Sequence, residues 1–180
     1  MRISIELEPS DIRRFLHSLE RSRRLARSMD EIDVVNAAKH ALDHLPIAGA
    51  PQHVRRRMAD VQRLIMMVED DAWALPAPYR QEVLSTLVYF SDPDDMIPDD
   101  VEMIGLFDDI IVLELGLRRL RHVLSAYDDF REFREAMRGE VDSKRGRAEY
   151  ARRLARRRDA LRERMQRQAA RGTVKLKGDG

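Results

Sequence analysis

The chain has no cysteine in its 180 residues. Disulfides, thiolate catalysis and cysteine-ligated metals are therefore excluded, and a reducing cytosol is the natural setting. Aromatic residues are scarce, at 6% with a single Trp. The apolar content is instead Leu, Ile, Val, Met and Ala, which suits helices more than sheets. The eight glycines are scattered, so there is no glycine-rich phosphate loop. Long apolar runs are missing as well. The richest, Leu64–Val68 and Val83–Phe90, fall far short of the ~18 residues a spanning helix needs. The opening MRISIELEPSD contains no apolar signal core.

What is abundant is charge. Charged residues make up 36% of the chain, against ~25% in an average domain, so much of each helix must face water. The net charge of +1 hides an asymmetry. Residues 143–180 carry 14 Lys/Arg against 4 Asp/Glu, a net +10, and residues 1–142 carry 19 against 28, a net −9. An acidic body with a basic tail implies two surfaces with different partners, or one surface folding onto the other.

Periodicity organises the chain into helices. Pro9-Ser10-Asp11 starts a helix with Ile12, Phe15, Leu19, Ala26 and Met29 on one stripe. Ser28 to Glu31 has capping-box spacing and predicts a second start, with Ile32, Val35, Ala38, Leu42 and Leu45 as its apolar face. After the loop Pro46–Pro51, a third helix over about 52–70 carries Val54, Met58, Val61, Ile65 and Val68. Trp73–Pro78 is a proline-bounded turn, and a fourth helix covers about 79–90. The most apolar helix spans about 101–124 and is expected at the centre of a bundle. Ser125 and Asp128 again show capping-box spacing, predicting a further start. The last helix covers about 143–171, ended by Gly172. Both ends alternate like short strands, Met1–Glu8 and Thr173–Lys177. A lone strand leaves backbone groups unpaired, so the two ends would pair with each other or fray.

Ser91–Asp109, SDPDDMIPDDVEMIGLFDD, concentrates seven Asp, one Glu and two Pro. Pro93 stops the preceding helix and Pro98 prepares the next, with Asp99 and Asp100 placed to favour its exposed N–H groups. The segment reads as a sharp helix–turn–helix corner. At ~100° per residue, Asp109 projects beside the Leu113 and Leu120 seam on the strip of Gly116, as a partly buried carboxylate needing a donor or counter-ion. Asp108 points toward Val112 and Arg119, nearer water.

The corner resembles the YkvA-like family of bacterial and archaeal domains of unknown function. The resemblance rests on Tyr89-Phe90-Ser91-Asp92-Pro93, Asp95-Met96-Ile97-Pro98-Asp99, Ile104-Gly105, Asp108-Asp109 and Leu117-Arg118-Arg119-Leu120, and covers about residues 80–124. This copy has Asp100 where the family has an apolar residue and Glu102 where it has a proline, so it is the more acidic. Family members are often labelled membrane-associated, a label the extra charges weaken here. The resemblance implies no catalytic residues.

Clustered carboxylates can hold a hard divalent cation, and Asp95, Asp99, Asp108 and Asp109 are the candidate ligands. The competing reading is that these aspartates cap helices and organise the turn. His40 and His44, four apart with His53 beyond the loop, match a zinc-ligating spacing, but no glutamate stands beside the first as in a metalloprotease helix, and a solvated face is the simpler reading. Ser, His and Asp are all present with nothing ordering them as a triad.

The basic helix is the stronger functional feature. Arg152, Arg153, Arg156, Arg157, Arg158, Arg162 and Arg164, followed by Arg167 and Arg171, surround a thin apolar stripe of Tyr150, Leu154, Leu161 and Met165. It is expected to bind an acidic protein surface, including the body of this chain or a second copy. Binding nucleic acid through phosphates is the alternative, though only Tyr150 could stack on bases. Peripheral contact with an anionic membrane is a third, with a narrow apolar face against it.

The expectation is thus an all-α protein, an irregular bundle of about six helices with short strand-like ends. Residues 1–142 form an acidic helical domain containing the corner, and 143–180 form a basic helix and tail. Function is expected to be a non-catalytic interaction or adaptor role in the cytoplasm, without a resident cofactor. The other readings are a nucleic-acid-associated protein using the arginine-rich helix and a metal-dependent activity at the aspartate-rich corner.

Overall fold

The computed structural model describes residues 9–45, 50–92, 105–138 and 144–177. Within them, the side chains of 9–12, 14–16, 105–112, 115, 144–145 and 172–177 lie outside the description. Six helices follow in order: α1 (Pro9–Ser28), α2 (Glu31–His44), α3 (Gln52–Glu69), α4 (Ala77–Ser91), α5 (Gly105–Ala136) and α6 (Lys144–Lys177). No strand occurs among the described residues, and the all-α class read from the periodicity holds.

Proline sets several boundaries. Pro76 is the extended N-cap of α4 at φ −61° and ψ 142°, and Pro78 sits in the first turn, where its missing N–H costs nothing. At the other end Asp92 leaves the helix with ψ 111°. Pro93 follows it, and the α region is disfavoured for a residue before proline. Between α1 and α2 the cap is Asp30, extended and without a side-chain cap bond. Ser28 instead closes α1, its Oγ donating to the Leu25 carbonyl at 2.9 Å.

Two predicted boundaries are corrected. No helix starts at Ser125: α5 runs unbroken to Ala136. Residues 117–138 contain neither Gly nor Pro, and Leu124, Tyr127 and Phe130 continue the buried stripe through the expected break. A capping-box pair acts only where the helix has another reason to stop. Likewise α6 passes Gly172 and reaches Lys177, so 173–177 extend a helix in place of the expected strand. Helix extension satisfies these backbone groups locally, whereas a strand would need a partner. The strand-like first end, 1–8, lies outside the described residues.

The chain divides into two compact units, residues 1–69 with 75–119, and residues 70–74 with 120–180. In the first, α4 packs on α1, α2 and α3. Val83 through Tyr89 are buried without interruption, so this stretch of α4 is enclosed on all sides. The sequence reading put the centre in 101–124; among the described side chains the continuous burial falls on α4. Two hydroxyls sit inside this stretch because each bonds within its own helix: Ser85 to the Gln81 carbonyl at 2.7 Å and Thr86 to that of Glu82 at 3.0 Å. Gly116 of α5 lies against Thr86. A Cβ there would stand 3.2 Å from both Cγ2 and Oγ1.

The first unit also pairs many of its own charges. Arg23 holds both Glu82 oxygens at 2.9 and 3.0 Å, Lys39 holds Glu69 at 2.5 Å, and Arg80 holds Glu31. Asp60 lies between Arg57 and Arg63, and Glu114 between Arg57 and Arg118. The Lys39–Glu69 and Arg118–Glu114 pairs are exposed and worth about 0–1 kcal/mol each. The others are partly buried, Asp60 the most, and desolvation offsets much of their attraction, so these pairs orient the helices more than they stabilise them.

Candidate interaction face on the arginine-rich helix

In the second unit, a tight turn and two helices position the arginines. The turn begins at Asp70, whose side chain lies 9% exposed. Its Oδ1 accepts the Ala72 and Trp73 amides at 3.1 and 3.2 Å and Arg134 at 2.9 Å, while Oδ2 accepts the Tyr127 hydroxyl at 3.1 Å. One carboxylate therefore shapes the turn and ties it to α5. Burial first, and Asp70 second, push the Tyr127 phenol up to about 12.

The turn presents Trp73, which is fully buried with its ring centroid 5.1 Å from that of Phe130 and 5.9 Å from that of Tyr127. Ala74 follows at φ 45°, a left-handed conformation costly for a residue with a Cβ. That geometry leaves two carbonyls facing α6. Arg162 takes both, donating to Trp73 at 2.5 Å and to Ala74, with its guanidinium 5.9 Å above the indole. Arg158 donates to the Ala72 carbonyl at 3.3 Å. Burial, followed by the neighbouring Arg158 charge, draws the Arg162 pKa below its ordinary value. Beside them, Leu161 and Met165 are buried.

The seven arginines singled out from the sequence therefore fall into two groups. Arg158, Arg162 and Arg164 are half-buried, Arg164 paired with Asp129 at 2.6 Å. Arg157, although exposed, lies 5.7 Å over the Phe133 ring. These four hold α6 in place. Arg152, Arg153 and Arg156 are exposed, and Arg167 and Arg171 continue the exposed side. At 100° per residue they share one face, which extends about 28 Å from Arg152 to Arg171 at 1.5 Å per residue. Glu149, Asp159 and Glu163 put negative charge on it or at its edge, meeting Arg152 at 4.0 Å, Arg158 at 3.4 Å and Arg167 at 3.5 Å. Tyr150 is half-buried, so the face offers charge without an exposed ring.

The acidic corner is described at its edges. Asp92, its first carboxylate, pairs with Arg21 of α1 at 3.0 Å. Asp95 and Asp99 lie outside the described residues, and Asp108 and Asp109 stand in the first turns of α5 with side chains outside the description. Among the described residues, no three of His, Cys, Asp and Glu group as a metal site. A cleft of about 320 Å³ in the first unit is lined by Glu20, Arg23, Arg27, Pro78, Gln81, Glu82 and Ser85. The Arg23–Glu82 pair takes up charge on its wall. No helix among the described residues is long and apolar enough to cross a membrane.

Sequence reasoning missed Asp70, Trp73, Tyr127 and Arg134, which build the seat for α6. The available signal was the single Trp inside a proline-bounded turn, because a large ring in a short connection has to be covered by something. No protein-family model, curated protein or solved structure matches the chain.

Proposed function

We propose that this chain is a non-catalytic helical interaction module of the cytoplasm, carrying a YkvA-like corner and docking an acidic protein partner on the outer face of α6. The observation that carries the reading is the division of the α6 arginines. Those needed to seat the helix face the Trp73 turn, the Phe133 ring and Asp129. Arg152, Arg153 and Arg156 stand exposed on another face. Arginine suits an acidic partner because its planar fork meets carboxylates in pairs. The absence of an exposed ring on that face weighs against base stacking and so favours protein over single-stranded nucleic acid.

Removing α6 would also remove Leu161 and Met165 from the core, so the test uses substitutions in the full chain. Changing Arg152, Arg153 and Arg156 together to Glu is expected to leave the helical circular dichroism unchanged and to abolish salt-sensitive capture of an acidic protein partner. A partner retained by the charge-reversed chain counts against this reading. Binding to random DNA or RNA fragments, with a steep log-log dependence on salt that the substitutions flatten, would replace it with the nucleic-acid reading.

A further inference from the structure

The histidine pair at the end of α2 has no part in the docking face. His40 and His44 are both exposed, and their rings stack with centroids 4.0 Å apart and planes 25° apart. Residues four apart share a helix face; here the two imidazoles stack face to face on it, and rotation of the exposed His40 ring turns its lone pair toward the point that the His44 Nε2 faces. His44 Nδ1 lies 2.7 Å from the backbone carbonyl oxygen of His40. A carbonyl oxygen only accepts, so Nδ1 carries the proton and, in the neutral ring, the lone pair is left on Nε2. Metal-ligating histidines are held in this way, one nitrogen donating to a carbonyl and the other facing the cation.

The surroundings accept positive charge. His44 is the last residue of α2, where a helix carries partial negative charge and favours a cation. The nearest ammonium in sequence, Lys39, is held on Glu69 at 2.5 Å. Asp43, beside His44 in the chain, is exposed and adds a negative charge.

We propose that His40 and His44 form a two-nitrogen site for a transition-metal cation such as Cu2+, Ni2+ or Zn2+, with water completing the coordination. Imidazole selects these ions over Ca2+ and Mg2+, which require oxygen ligands. The chelate pins the last turn of α2, and a cation that binds only the folded chain stabilises it by mass action.

The test is calorimetric titration and thermal unfolding of the untagged full chain with each chloride salt at neutral pH. One cation per chain is expected, with Cu2+ bound more tightly than Ni2+ or Zn2+, and each raising the melting temperature. His40→Gln and His44→Gln should each weaken binding by at least about tenfold and remove the thermal shift. His17→Gln and His53→Gln should leave binding unchanged. His40→Gln guards against a loss due only to the helix-end hydrogen bond of His44, because its own ring makes no such bond. Binding that survives at full strength in both variants, or a shift produced equally by Mg2+, overturns the proposal.

Discussion

Asp70 shows how one carboxylate organises a unit. It accepts two turn amides, a phenol and a guanidinium, and through the phenol it makes the second unit sensitive to alkali. Below pH 10 Tyr127 is protonated in both the folded and the unfolded chain. Between pH 10 and about 12 the unfolded chain releases a proton that the folded chain keeps, so stability falls across that window. Urea midpoints measured at pH 9 and pH 11 should show this decline, and Tyr127→Phe should lack the part due to the phenol. Neither partner was identifiable beforehand. Asp70 reads as the end of a helix and Tyr127 carries no signal of its own, since their pairing spans 57 residues.

At the scale of elements, the helices were legible because their signal is local. The seam Val54, Met58, Val61, Ile65 and Val68 marks α3, and all five residues are buried. Proline marked both ends of α4, within two residues at the start and one at the end. The errors came from motifs whose effect depends on context: Ser125 to Asp128 lies in a stripe that tertiary burial keeps helical, and Gly172 is a weak stop without a further reason to turn. Packing between elements was less legible. Gly116 could have been a mere irregularity, yet Thr86 stands where its Cβ would be, and Thr86 is buried and tied to the Glu82 carbonyl. Gly116→Ala is therefore expected to lose about 1 kcal/mol, because overpacking of 1–3 kcal/mol outweighs the ~1 kcal/mol helix preference of alanine. Denaturant midpoints check this, and Thr86→Ser, which deletes the opposing methyl, should recover part of the loss in the double variant.

For the whole molecule, charge has two uses that composition cannot separate. A count of +10 over residues 143–180 treats every arginine alike, whereas the structure divides them between seating and exposure. Arg162→Ala leaves two carbonyls without their donor and uncovers one face of Trp73, so a loss of about 2 kcal/mol is expected. The Arg152, Arg153 and Arg156 triple substitution should change stability far less, since all three are exposed and exposed charge contacts are worth about 0–1 kcal/mol each. Chemical denaturation of the two variants side by side distinguishes the seating arginine from the exposed ones. A triple variant as unstable as Arg162→Ala would mean that the exposed face also holds the fold.

The sequence by itself determined the all-α class, the places of most of the helices and the uneven charge. These follow from nearest-neighbour physics: a 3.6-residue period, proline's missing N–H and the absence of cysteine. Only the tertiary structure decided that α4 carries the continuous burial, that α6 is seated on the turn 70–74, and which arginines remain exposed. Those outcomes depend on contacts such as Arg162 with Trp73, 89 residues apart, and no periodicity along a chain encodes which distant carbonyl a guanidinium will reach.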